Sequence, residues 1–260
     1  MPEAIANQTS IHYEIIGSGP PLLLLHGLGS SGRDWEEQID RFSDDYTVIT
    51  IDFRGHGQSE KPPGPYSVQV FADDVAEVLK EIDLAPVAVV GLSLGGMVGF
   101  QLAADHPELV AELVIVNALP EFELETFRQR LEIAVRKVIL RFMGMRKMGE
   151  VLAGRLFTDE DMAQQRATMV ERWAENDKRA YRDSFEAILD WEGVTEAMSR
   201  FEKPILMVAS DQDYITVEAK QPFVDAMPSA EMVVIENAHH AVPTERPEQF
   251  NEVLADFLSG

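Results

Sequence analysis

The stretch Pro86-Val87-Ala88-Val89-Val90-Gly91-Leu92-Ser93-Leu94-Gly95-Gly96-Met97 constrains this chain more than any other. It opens as a β-branched apolar run, the pattern of a strand buried on both faces. It then breaks into Gly91-Leu92-Ser93-Leu94-Gly95, a G-x-S-x-G sequence. Met97, Val98, Phe100, Leu102 and Ala103 follow, an apolar set that suits a buried helix. A serine on a sharp strand-to-helix turn is held in a strained backbone conformation. Its hydroxyl is thrust clear of the sheet, with a helix N-terminus beneath it. Side chains at positions 91 and 95 would collide across such a turn, so both need glycine. A bare G-x-S-x-G arises by chance in many sequences. The strand before it and the helix after it make Ser93 a candidate nucleophile.

The neighbouring segments extend the same alternation. Thr9 to Ile15 reads as a first strand, and Gly17-Ser18-Gly19-Pro20 as a turn. Pro21 to Leu25 is a short buried strand ending at His26-Gly27-Leu28-Gly29, where two glycines let peptide N–H groups face a cleft. Tyr46 to Ile51 is another buried strand, running into the polar loop Asp52-Phe53-Arg54-Gly55-His56-Gly57-Gln58-Ser59. Asp52 and Arg54 are expected to fix that loop, and His26 to be a hydrogen-bonded structural histidine. Ser67 can N-cap a helix that buries Val70, Phe71, Val75, Val78, Leu79 and Ile82. Leu113 to Asn117 is the next strand. The β–α alternation over residues 21–117 implies a parallel sheet with helices on both faces.

After Pro120 the pattern changes. Residues 121–199 show helical periodicity and no convincing strand; Phe127, Leu131, Val135, Val138, Ile139 and Phe142 recur at helical spacing. Charge divides the chain at the same place. Residues 121–199 hold 13 Lys+Arg against 16 Asp+Glu, whereas the rest holds 9 against 29. Arg128 to Lys147 carries seven cations and one acid, Glu132, and is expected to dock against the acidic remainder of the chain. Five of the eleven methionines fall between Met143 and Met169; ordinary helix packing accounts for them, and a permissive apolar pocket would use them too. The net charge of −23 argues against nucleic acid and anionic membranes as partners. Without cysteine there are no disulfides, thiolate metal sites or cysteine nucleophiles. The purest apolar run, Leu22 to Leu25, is far too short to span a bilayer, and the N-terminus lacks the basic and apolar regions of a signal peptide. The expected location is therefore cytoplasmic.

At Pro204 the strand pattern returns. Ile205-Leu206-Met207-Val208-Ala209 leads into Ser210-Asp211-Gln212-Asp213, and Met232-Val233-Val234-Ile235 into Glu236-Asn237-Ala238-His239-His240. Pro247 opens a last helix carrying Phe250, Val253, Leu254 and Phe257. In a parallel sheet these strand ends share one edge with the serine turn. A serine hydroxyl needs a base, and the base needs an orienting acid. Of six histidines, His239 and His240 lie just past a strand's C-terminal end, and Asp211 and Asp213 lie past the end of another. Ser93, Asp213, His240 is the chain order this motif expects. Two backbone donors would hold a tetrahedral oxyanion: the N–H of Leu94, which follows the nucleophile, and that of Leu28.

With those pieces in place the chain resembles the α/β-hydrolase fold family over nearly its whole length. The matching segments are His26-Gly27-Leu28-Gly29, Asp52 to Ser59, Gly91 to Gly96, Asp213, and His240 followed by Glu245-Arg246-Pro247. The resemblance implies a core of residues 1–120 and 200–260. Residues 121–199 would be a helical cap inserted after the sixth strand, over the acyl pocket. It also implies catalytic Ser93, Asp213 and His240, an oxyanion hole of Leu28 and Leu94, and no metal or cofactor. Serine at 93 argues against the haloalkane dehalogenase and epoxide hydrolase members, which use aspartate there. His239 stands where the family usually has glycine, and the spacing from His240 to Glu245 and Pro247 sets the register. The expected function is hydrolysis of small carboxylic esters, neutral and apolar on the acyl side, through an acyl-serine. A lactonase, a carbon–carbon bond hydrolase or a cofactor-free perhydrolase would use the same residues. A ligand-sensing protein on this fold is the rival outside catalysis, and release of one equivalent of product without steady turnover would identify it.

Overall fold

In the computed structural model of the chain, which describes residues 2–122, 127–159 and 162–260, eight strands build one sheet. They are β1 (Glu3–Ala6), β2 (Thr9–Gly17), β3 (Pro21–Leu25), β4 (Thr47–Ile51), β5 (Val87–Leu92), β6 (Val110–Val116), β7 (Ile205–Ser210) and β8 (Ala230–Ile235). Neighbours run β1-β2-β4-β3-β5-β6-β7-β8. The pairs β1/β2 and β2/β4 are antiparallel, and the rest are parallel. The strand that opens at Thr9 is thus the second, not the first. Glu3–Ala6 pairs with it through Asn7-Gln8, both at positive φ (46° and 64°), as a two-residue hairpin turn requires. Four residues are too few to leave a periodic signal.

The helices are α1 (Glu36–Phe42), α2 (Val68–Ile82), α3 (Leu94–Asp105), α4 (Phe127–Phe142), α5 (Gly144–Leu156), α6 (Ala163–Ala174), α7 (Lys178–Leu189), α8 (Thr195–Met198), α9 (Val217–Ala226), α10 (Val242–Glu245) and α11 (Pro247–Leu258). Alternate residues of each central strand serve opposite layers. Leu23, Leu25, Val89, Leu113 and Ile115 pack with Phe71, Val75, Val98 and Phe100 of α2 and α3. Leu22, Leu24, Val90, Val114 and Val208 pack with Trp35, Phe42, Phe250 and Leu254, which bring in α1 and α11. Burial on both faces is why these strands read as unbroken apolar runs. As expected, Ser67 caps α2: its hydroxyl accepts from Val70 N at 3.1 Å.

The polar loop after β4 is pinned as its composition predicts. Asp52 accepts from Gly32 N at 2.7 Å and from Gln58 N at 2.8 Å. Arg54 donates to both carboxylate oxygens of buried Asp74. Burial pushes the Asp74 carboxyl up, and the bonds from Arg54 only partly offset it. His26 is structural too: Nδ1 donates to Gly27 O at 2.7 Å and Nε2 accepts from Phe53 N at 3.1 Å.

Helices α4 to α8 lie between β6 and β7, and no strand occurs among the described residues of that segment. One of its expected details changes in part: the described ion pairs of the basic run stay inside the segment. Lys137 pairs with Glu186, Arg146 with Glu171 and Lys147 with Glu150, all inside the segment 121–199. The ties to the rest of the chain come from elsewhere: Arg172 to Asp34 and Glu36, Arg33 to Glu175, and Arg246 to Asp159. Helix-spaced glutamates on neighbouring helices are simply nearer than the sheet domain's acids. Of the apolar residues at helical spacing, Leu131, Val135, Val138 and Phe142 are exposed. Helix α4 turns Ile133, Arg136, Ile139 and Leu140 inward instead, and Arg136 lies over the rings of Tyr181 and Phe185 on α7. The side chains of Phe127 and Arg128 lie outside the described residues. Met145, Met148 and Met162 are buried in helix packing, as expected.

His56 gives this fold a pH dependence. It is 1% exposed among Phe53, Phe71 and His26. Burial, reinforced by His26, pushes its imidazole down to about 3. The unfolded chain takes up a proton near pH 6.5 that the fold refuses until about pH 3. Above pH 6.5 the group costs nothing; between 6.5 and 3 it lowers stability by up to about 1.4 kcal/mol per pH unit. Urea midpoints should fall from pH 7 to pH 4, and His56→Gln should make that fall shallower. A His56→Gln chain with the wild-type slope would assign the loss to other groups.

Candidate active site

Because β3, β5, β6, β7 and β8 are parallel, their C-terminal ends meet on one edge. Five loops therefore converge there, carrying His26–Gly29, Ser93, Asn117, Asp211–Asp213 and Glu236–His240. Ser93 sits between β5 and α3 at φ 53° and ψ −111°, a conformation that L residues adopt only under constraint. Its N–H donates to Val116 O at 2.9 Å and its carbonyl accepts from Met97 N at 3.0 Å, so strand and helix both grip it. A Cβ at Gly91 would collide with the backbone of Gly95, as the tight turn predicts. A Cβ at Gly95 would strike the backbone of Leu25 and His26, so that glycine is needed for the approach of α3 to β3 rather than across the turn.

Asp213 and His240 meet directly, Oδ1 to Nδ1 at 2.8 Å, with the carboxylate side chain fully buried. The second carboxylate oxygen accepts from Lys220 Nζ at 2.8 Å. Lys220, on α9, is itself wholly buried and also donates to Asn117 Oδ1 at 2.9 Å and Ile215 O at 2.7 Å, which uses all three of its protons. Burial alone would raise the Asp213 carboxyl, but the facing His240 and Lys220 outweigh it and hold the group below its ordinary range. Burial lowers the Lys220 ammonium, and Asp213 opposes that. Asn117, at φ 50° just past β6, donates to His240 O at 3.0 Å and to Ser210 Oγ at 2.8 Å. It thereby ties the His240 backbone to the ends of β6 and β7.

His239 points elsewhere, as adjacent residues must. Its Nδ1 faces Glu245 Oε1 at 2.8 Å, and its N–H donates to Glu245 Oε2 at 2.6 Å. Asp211 accepts from Ala238 N at 3.1 Å and so braces the histidine loop. Leu94 is the first residue of α3, where N–H groups have no acceptor within the helix. Leu28 lies in a turn closed by Ser30 N to Gly27 O at 3.2 Å. That turn rests on the Ser93 loop, since a Cβ at Gly27 would stand 3.8 Å from Ser93 Cβ. A cleft of about 1730 Å³ opens over these residues, walled by Met97, Phe122, Ile139, Met148, Met169, Trp173 and Phe185. No cluster of metal-ligating side chains occurs among the described residues.

Three members of this site were missed from the sequence. Asn117 carried a usable signal: a lone polar residue at the end of a buried strand on the shared edge. Lys220 carried none, because its partners lie 7 and 103 residues away. Tyr214 follows the acid directly, and its hydroxyl meets His240 Nε2 at 2.6 Å while its ring stacks on the imidazole at 4.2 Å.

Comparison with known proteins agrees with this layout. The family described as the alpha/beta hydrolase fold matches residues 20–247. The chain belongs to the α/β-hydrolase fold family. It is 27% identical to 3-oxoadipate enol-lactonase 2 of Acinetobacter baylyi, over 96% of this chain and 93% of that one. It is 30% identical to the pimeloyl-[acyl-carrier protein] methyl ester esterase of Aeromonas hydrophila, over 96% and 99%. The crystal structure of the enol-lactonase from Burkholderia xenovorans superposes with a TM-score of 0.89 at 28% identity, covering all of both chains. The coarse reading of the sequence, a hydrolase on this fold, stands.

The Lys220–Asp213 pair makes a stability prediction. Lys220→Met would leave a buried carboxylate oxygen unpaired and should cost about 3 kcal/mol in urea unfolding. Adding Asp213→Asn should recover part of that loss, because the uncompensated charge is then gone. Strictly additive losses in the double-mutant cycle would show that the two do not act as a pair.

Proposed function

We propose that this protein hydrolyses small carboxylic esters through an acyl-serine, with Ser93 as nucleophile, His240 as base, and Asp213 as the acid that orients it. The observation that carries the reading is a serine at φ 53° sharing one cleft with a buried Asp213–His240 pair at 2.8 Å. His240 holds its Nδ1 proton on Asp213, which leaves Nε2 as the acceptor for the serine proton. Ser93 Oγ then attacks the ester carbonyl, and the N–H groups of Leu28 and Leu94 hold the oxyanion. His240 passes the proton to the departing alcohol oxygen. Water, deprotonated by the same imidazole, then releases the acid. A lactone carries the same bond closed into a ring, and similarity to enol-lactonases over the whole chain favours including cyclic esters in the substrate class. Residues 121–199 act as a cap over the acyl side, where walls such as Ile139, Met148 and Phe185 favour neutral, apolar chains. No cofactor enters this chemistry.

Turnover of p-nitrophenyl esters of graded acyl length tests the reading. Ser93→Ala should fold normally and lose roughly three or more orders of magnitude in rate. More than a tenth of wild-type turnover in that variant would remove Ser93 from the role.

The two histidines separate by rate. His240→Ala should lose as much turnover as Ser93→Ala. His239→Ala should slow turnover by only roughly fivefold to tenfold, about 1 kcal/mol. A dead His239→Ala beside an active His240→Ala would move the base by one residue.

A further inference from the structure

Tyr214 stands at the one atom the proposed chemistry cannot spare. His240 has a single lone pair once Nδ1–H is given to Asp213, and it lies on Nε2. The Tyr214 hydroxyl meets that nitrogen at 2.6 Å. The phenol thus stands at the imidazole nitrogen that the serine proton has to reach.

We propose that Tyr214 is a displaceable stopper of the catalytic centre, a residue that occupies Nε2 of His240 in the free protein and must swing out before a substrate can react. The inference rests on the reading of Ser93 and His240 given above. It follows from where oxygen atoms must sit. The leaving alcohol oxygen, and later the hydrolytic water, each need Nε2 within hydrogen-bond reach. The phenol oxygen already fills that place, and two oxygens cannot share one lone pair.

The surroundings make the movement local. The backbone on both sides of Tyr214 is fixed: Asp213 is held by His240 and Lys220, and the Ile215 carbonyl accepts from Lys220 Nζ. The side chain itself is 66% exposed to the cleft. Its stacking on the imidazole and its hydroxyl bond to Nε2 hold it in place. A rotation of the ring thus frees Nε2 without disturbing Asp213. A proton relay from Ser93 through Tyr214 to His240 is the competing account, and it makes the opposite prediction for loss of the hydroxyl.

The cost of displacement belongs to the free enzyme, so every substrate meets it equally. The apparent affinity is reduced by the fraction of molecules whose Nε2 is open. Tyr214→Phe keeps the ring and removes the hydroxyl bond. It should lower KM by about fivefold to tenfold, the worth of one hydrogen bond to the base, and leave kcat within about twofold. The gain in kcat/KM should be the same factor for an acetyl and an octanoyl p-nitrophenyl ester. A residue that merely lined the acyl pocket would give gains that vary with chain length.

The test compares wild type, Tyr214→Phe and Tyr214→Ala, using those two esters and diisopropyl fluorophosphate. With the last, the nucleophile's oxygen displaces fluoride, and mass spectrometry of the peptides locates the label. Faster labelling at Ser93 in Tyr214→Phe, by about the same fivefold to tenfold, is the expected result, with Tyr214→Ala at least as fast. A gain in rate is not what a damaged fold produces. Labelling at Ser93 that is unchanged or slower in Tyr214→Phe overturns the stopper and leaves the nucleophile standing; a fall in kcat would mark the relay instead. Gains that differ between the two esters also overturn it. Label at no serine, or at one other than Ser93, brings down the nucleophile assignment and the stopper with it.

Discussion

Where β5 hands over to α3, the chain passes the backbone of Leu25 and His26 so closely that position 95 has no room for a side chain. That approach sets the first turn of α3 against the end of β3. It forces the intervening residue, Ser93, into a positive φ, and it brings the Gly27 turn beside the serine. Residues with a β-carbon could not follow this path, and a looser path would let the serine relax. The strain is borne by the buried sheet on either side, since Val87 to Val90 and Val114 to Val116 are almost entirely excluded from solvent. The core thus holds the one conformation in which a serine side chain projects from the sheet edge.

The second dependence is electrostatic. A carboxylate as deeply buried as Asp213 survives as an anion only if both its oxygens are served. His240 serves one and Lys220 the other. Lys220 in turn is tolerable in the interior because Asn117 and the Ile215 carbonyl take its remaining protons. Asn117 completes the arrangement by holding the His240 carbonyl. The network joins the ends of β6 and β7, helix α9 and the loop after β8. The imidazole therefore inherits its aim from four separate parts of the fold.

The helices between β6 and β7 follow a different logic. They are held to the sheet domain by ion pairs such as Arg172 with Asp34 and Glu36. They also pack directly on the glycine turn after β3: a Cβ at Gly29 would meet the rings of Tyr181 and Trp173, and Asn176 donates to Gly29 O at 2.8 Å. The segment whose residues wall the cleft thus touches the loop proposed to hold the oxyanion. Leu131, Val138 and Phe142 stay in solvent, so a helical period alone does not mark a core face there.

Much of this molecule was legible in its sequence because the signals are local. Apolar runs of strand length, two glycines flanking Ser93, and a serine cap before α2 each depend on neighbours a few residues away. They determined the mostly parallel sheet and the edge on which the candidate residues gather. Resemblance to the family then picked out Ser93, Asp213 and His240, because its spacing favours Asp213 over Asp211 and His240 over His239. Tertiary structure decided what depends on distant partners. Lys220 reads as an ordinary helix lysine until α9 packs beneath Asp213 and its ammonium reaches Asn117, 103 residues away. The basic run of α4 and α5 looked destined for the acidic domain until folding set Glu171 and Glu186 nearer. Tyr214 is adjacent to Asp213 in sequence, yet its place on Nε2 depends on the loop after β8 bringing His240 to it. Backbone patterning follows from short-range sterics and burial, whereas a charge or a hydroxyl finds its partner only through the packing of the whole chain.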